Sequence, residues 1–225
     1  MTRTGAAARP TVDDHAETFV EWAQDHTREL SFGALAIVTI AAAAWLYGYS
    51  NRQNAARAEG LLAQAEATLG AQRTAEAQTL YERLVQGYEG TPSAGQALLR
   101  LGQVLYEQGK FEDGVRRLEA GFGEYDDGPF ATSIRRLAAD GYAQLGQAAK
   151  AAELYALSAA KSSLKGERDE LMAQAARAWA DAGNKEEAVR IWRPMAEEPN
   201  HPLGNEARIR IGELTAAPAG SANSG

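Results

Sequence analysis

Groups suited to covalent or metal chemistry are scarce in this chain. It has no cysteine, which excludes thiolate nucleophiles, disulfides and Cys-ligated zinc. Its three histidines, His15, His26 and His201, are scattered and share no HExxH or other ligand spacing. No nucleophile, base and orienting acid come together in sequence, and no phosphate loop follows a strand. These absences point away from an enzyme and give no reason to expect a metal or other cofactor. The chemistry that remains is recognition. Leu99, Gln103 and Tyr106, then Arg136 and Asp140, then Arg177 and Asp181 recur in step along the chain. On one concave surface their polar and aromatic groups would hold an extended or partly unfolded polypeptide. Placed apart, they are ordinary exposed helix positions.

The elements that must position them are helices. The middle of the chain is rich in Ala, Gln and Glu, has few β-branched runs, and reads as all-α. A 37-residue period runs through it. Ala65, Gly102, Ala139 and Ala176 form one column, and Ala77, Gly114, Ala151 and Ala188 another. Large residues keep the same spacing as Thr68, Leu105, Tyr142 and Trp179, and as Tyr81, Leu118, Tyr155 and Trp192. Gly109, Gly146 and Gly183 recur between the two halves of each unit, with Gln72 in that place in the first. Small residues let two antiparallel helices approach, a large one fills the gap beside them, and a left-handed Gly ends the first helix. Thr91 and Pro92 fit an N-cap and a first-turn proline, and Pro129 falls in the same column. Pro194 should kink or end the last second helix, and "NEARIRIGEL" should cap the stack.

This pattern resembles the tetratricopeptide repeat, most clearly in "LLRLGQVLYEQGKFEDGVRRLEAG". There Leu98, Leu101, Gly102, Leu105, Gly109, Gly114 and Leu118 fall at the signature positions. Gly114 and Gly121 stand where the repeat usually has Ala. The resemblance implies a helical-hairpin solenoid over residues 52–217, with 218–225 as a disordered tail. The three residues beyond the usual repeat length would lengthen a helix or an inter-unit turn. The Lys and Asn clamp with which some tetratricopeptide domains grip a C-terminal carboxylate is missing.

Upstream lies "LSFGALAIVTIAAAAWLYGYSN", residues 30–51, with no charged side chain. At about 1.5 Å per residue it makes a helix of roughly 33 Å, against a hydrocarbon core of about 30 Å. Trp45, Tyr47 and Tyr49 cluster at one end, as an interfacial belt would. The reading is one uncleaved N-terminal transmembrane helix, because an acidic segment, not a short basic one, precedes it. Ala34, Ala41, Ala44 and Gly48 fall on one side, where small residues would let a partner span approach. Residues 1–29 form an acidic amphipathic segment with Ala16, Phe19, Val20, Ala23 and Leu30 on one face. That face suits either a partner or the headgroup zone. The chain carries 30 acidic against 23 basic residues, which argues against nucleic acid as a partner. Arg28 on one side of the span and Arg52 and Arg57 on the other mildly favour a cytoplasmic C-terminus.

The order of parts, "AETFVEWAQDHTRELSFGALAIVTIAAAAWLYGY" followed by "NRQNAARAEGLLAQA" and the repeats, resembles the ancillary Sec translocon subunits of the YfgM type. That resemblance implies a bacterial inner-membrane protein with a cytoplasmic N-terminal segment and a periplasmic repeat domain. The implied partners are translocon channel subunits, periplasmic chaperones and emerging secretory polypeptides. An alternative from another class is an envelope scaffold for cell division or wall synthesis. It fits less well without a trimerising heptad run or a cleavable signal.

Overall fold

A computed structural model describes residues 27–216, excepting the side chains of 27–31, 33, 34 and 36. The amphipathic face expected over 1–29, the Ala34 side chain and the 218–225 tail lie outside the described residues. Among the described residues there are nine helices and no strand. They are α1 (Thr27–Gly70), α2 (Thr74–Gly87), α3 (Pro92–Glu107), α4 (Phe111–Ala120), α5 (Ala131–Gln144), α6 (Ala148–Lys161), α7 (Lys165–Asp181), α8 (Lys185–Glu197) and α9 (Gly204–Thr215).

The chain divides into two compact units, Met1–Gln53 and Asn54–Gly225. In the first, the described side chains of α1 are exposed almost throughout. Phe32, Leu35, Ile37, Val38, Ile40, Leu46 and Tyr47 are all more than half exposed. Trp45 stacks on Tyr49 with ring centroids 5.7 Å apart. Among the described residues no helix is long and apolar enough to cross a membrane; several side chains in the first part of the uncharged run lie outside that set.

The second unit is a stack of helical hairpins, and the repeat columns are its core. Ala65, Ala139, Ala176, Ala77, Ala151 and Ala188 have no exposed surface, and Tyr81, Leu118 and Trp192 are equally enclosed beside them. Four turns of three residues join the two helices of each hairpin: 71–73, 108–110, 145–147 and 182–184. In each, the middle residue is left-handed, with φ of 63° at Gln72, 74° at Gly109, 70° at Gly146 and 81° at Gly183. The next N–H then reaches back five residues, from Arg73 to the Thr68 carbonyl (3.1 Å) and from Lys110 to that of Leu105 (2.9 Å). Gln147 and Asn184 repeat it onto Tyr142 and Trp179. Four Schellman caps thus recur in register, and in the first Gln72 adopts the conformation glycine takes elsewhere.

Junctions between units are less regular. Thr91 caps α3 as expected, its Oγ1 accepting from the Ala94 N–H at 3.2 Å, with Pro92 as the first helical residue. Pro129 does not repeat that arrangement. Residues 121–130 form a long junction, and α5 begins only at Ala131. The extra length of unit two therefore sits in this inter-unit turn. Pro194 neither ends nor interrupts α8, which runs on to Glu197. The helix α9 closes the stack, its Ala207, Ile211 and Leu214 and the preceding Leu203 packing against the last hairpin's core.

Candidate functional site

The polar groups of the first helices form a row. Glu66, Gln103, Asp140 and Arg177 occupy one column of the repeat, and each already has a partner. Arg100 joins the first two, donating from Nε to Glu66 Oε1 at 2.9 Å and from Nη1 to Gln103 Oε1 at 3.2 Å. Asp140 accepts from the Tyr155 hydroxyl at 2.6 Å and lies 3.8 Å from Arg136. Burial pushes the Asp140 carboxyl up from its ordinary pKa, against the Tyr155 hydrogen bond and the Arg136 charge, which pull it down. Arg177 makes a fork onto Glu206 at 2.9 and 2.8 Å, reaches Glu170 at 3.3 Å, and lies over the Trp192 ring. Arg136 and Asp140 are brought together, and Arg177 and Asp181 share the wall of a cavity of about 210 Å³ under α9. Gln103 is exposed, and Leu99 is half-buried against the Leu98 and Ile134 cluster.

Tyr106 is half-buried between helices. Its hydroxyl donates to the Leu137 carbonyl at 3.0 Å, linking α3 to α5. A Cβ built on Gly114 would lie 2.3 Å from the Tyr106 ring, and one on Gly141 would lie 2.1 Å from its hydroxyl. Burial, then the charges of Asp140 and Glu119, push the phenol's pKa well above its ordinary value. The ring is a wedge between the second and third hairpins, held by the absence of side chains at Gly114 and Gly141 on two neighbouring helices.

Sequence reasoning passed over a second network. Arg135 is buried, pairs with Asp126, donates to the Ala131 carbonyl at 3.2 Å, and lies over the Phe122 ring. Lys161 reaches Asp126 and Asp127, both at 3.0 Å. The Lys161 hydrogen bond is the main cause holding Asp126 below the usual carboxylate range. These contacts pin the 121–130 junction to α5 and α6. The adjacent Asp126 and Asp127 were their only trace in the sequence.

His201 is buried and has a packing role. Its Nδ1 accepts from the Leu203 N–H at 3.1 Å, which leaves Nε2 to donate to Asp169 at 3.1 Å. His15 and His26 lie outside the described residues. Among the described residues no three His, Asp or Glu side chains cluster as metal ligands would.

The family model described as Tetratricopeptide repeat matches residues 62–115 and 101–165, which include the first three members of each repeat column and three of the four Schellman caps. The stack is a tetratricopeptide-like solenoid. Solved structures agree on this fold. The TPR-like repeats of a candidate kinesin light chain from Podosopora anserina superpose with a TM-score of 0.54 at 19% identity, covering 71% of this chain and 86% of that one. A tetratricopeptide repeat protein from Parabacteroides merdae gives 0.56 at 14% identity, covering 70% of this chain and 59% of its own. At such identities the likeness establishes the fold alone. No curated protein matches the chain in sequence.

Proposed function

We propose that the protein is a membrane-anchored, non-catalytic ancillary subunit of the bacterial Sec translocon. It would link the channel to periplasmic chaperones or to emerging polypeptides. The observation that carries the reading is one chain holding two things: an uncharged stretch over residues 30–51, and a tetratricopeptide-like stack. On the described part of that stretch the large apolar side chains are exposed. Exposed apolar surface of this kind favours an apolar cover, and a bilayer supplies one all round. The chain lies in the inner membrane in this reading, crossing once, with the repeats in the periplasm. The Ala41, Ala44 and Gly48 side of the span docks against a channel helix, and the first-helix row from Leu99 to Asp181 faces clients. Ion pairs already span that row, so a client binds by displacing exposed pairs, which are individually weak.

The test is a pull-down of the full-length protein from its own membranes in mild detergent, with retained proteins identified by mass spectrometry. Sec channel subunits enriched over an unrelated single-span control support the assignment. Division or wall-synthesis proteins in their place would keep the fold and remove the translocon role.

A further inference from the structure

The second helices of three hairpins run 13 or 14 residues, but α4 has 10. Gly121 follows at once, and the chain turns through 121–130 before α5 begins. Beside this early stop, against the end of α2, lies a cavity of about 410 Å³. That volume is within the range of roughly 300–1,000 Å³ typical of ligand sites. Its floor is apolar: Leu98, Val85, Gly121 and the Tyr125 ring, which Phe130 holds edge-on with centroids 6.2 Å apart.

The walls carry charge of one effective sign. Arg117, the one cation in the lining, is paired with Glu82 at 3.3 Å. Glu89 and Glu124 also line the cavity, and among the described residues neither forms an ion pair. Both stand close enough to Tyr125 to help burial, the larger cause, raise its pKa. An apolar floor below two unpaired carboxylates complements an apolar side chain next to a cation, and an aromatic ring favours that cation further.

We propose that this cavity docks a short segment of a partner polypeptide that carries Lys or Arg beside a Leu-sized side chain. The apolar group sits on Leu98 and Val85, and the cation lies between Glu89 and Glu124. This site is at the junction of the first and second hairpins, apart from the first-helix row. It goes beyond the translocon reading and holds whichever machine the span meets.

The experiment uses the full-length protein in a neutral maltoside detergent. Two fluorescein-labelled peptides serve as probes, GSLRLKGS and its charge-reversed counterpart GSLELDGS, read by anisotropy. Saturable binding of the basic probe is expected, at least about tenfold tighter than the acidic one at low salt and weaker at about 150 mM. The double variant Glu89→Gln with Glu124→Gln should lose about tenfold in affinity for the basic probe. Both side chains are exposed, so the fold is left intact. Ala120→Trp, which fills the cavity from an exposed position, should weaken binding with both carboxylates still present. Equal binding of the two probes, no saturable binding, or full affinity in the double variant would overturn the proposal. Concentration-dependent dimerisation abolished by the same double variant would also overturn it, assigning the face to a second copy. None of these outcomes bears on whether Sec subunits co-purify, so the two readings fail separately.

Discussion

Replacing Gly141 by alanine should destabilise the stack, although the same change normally stabilises a helix. In the interior of a helix, alanine is favoured over glycine by about 1 kcal/mol. At Gly141 the new methyl would lie 2.1 Å from the Tyr106 hydroxyl oxygen and 2.5 Å from Val115 Cγ2. The phenol cannot swing aside freely, because Gly114 passes against its other side, Phe111 lies 5.4 Å away ring to ring, and its hydroxyl is bonded to Leu137. Overpacking of this kind costs about 1–3 kcal/mol, and losing the hydrogen bond adds about 1 kcal/mol. Set against the helix gain, the net loss is about 1–3 kcal/mol. Urea titration of the full-length protein in detergent, followed by helix circular dichroism, reads this as a lower midpoint at unchanged slope. Gly60→Ala is the internal control, since nothing lies within 4 Å of its Cβ position, and it should gain about 1 kcal/mol. In a Tyr106→Ala background, where only the Val115 contact remains, Gly141→Ala should cost clearly less. Wild-type stability of Gly141→Ala, or an equal loss in both backgrounds, would refute the wedge.

Two further outcomes are expected. Gln72→Gly should raise the melting temperature by about 2–4 °C, because it relieves roughly 1 kcal/mol of left-handed strain at φ 63°; an unchanged melt would show that Gln72 bears none. The hydrogen bond from Arg177 chiefly holds Glu206 below its ordinary 4.5, so its stabilising contribution is fully present above about that pH and is lost as pH falls through the lowered value. Wild type should therefore lose more stability between pH 7 and pH 3 than Glu206→Gln, as compared by urea titration at each pH.

The hairpin core was legible in the sequence because its requirement is local and repeated. Ala77, Ala151 and Ala188 are small for the same reason, and the four-residue step to Tyr81, Tyr155 and Trp192 places a large side chain over each close approach. Even Gln72 could be placed, since its column, not its residue type, fixed the backbone it must adopt. The junctions were not legible. Gly121 reads as a small residue in alanine's place that weakens its helix, yet a Cβ there would lie 2.3 Å from Leu98, and the chain leaves its helix at that point. Arg135, Asp126 and Lys161 meet across 9 and 35 residues of sequence, a spacing no helical period implies. The recognition row was visible as a set of positions. Its partners, Tyr155 for Asp140 and Glu206 for Arg177, come from other helices and emerge only with the packing.

The contrast between the two kinds of turn constrains how such a chain can change length over evolutionary time. A three-residue turn in which one residue is left-handed and the next bonds back five places has no slack. One inserted residue there would break the cap and shift the register of the following helix by about 100°, turning its small column away from its partner. The junctions already run from 3 to 10 residues, and Asp127 and Gly128 in the longest of them are exposed. Insertions and deletions should accumulate between units and stay out of them. A reporter loop or epitope spliced at 127–128 would be carried without loss of the fold, and the same graft at 108–110 would not.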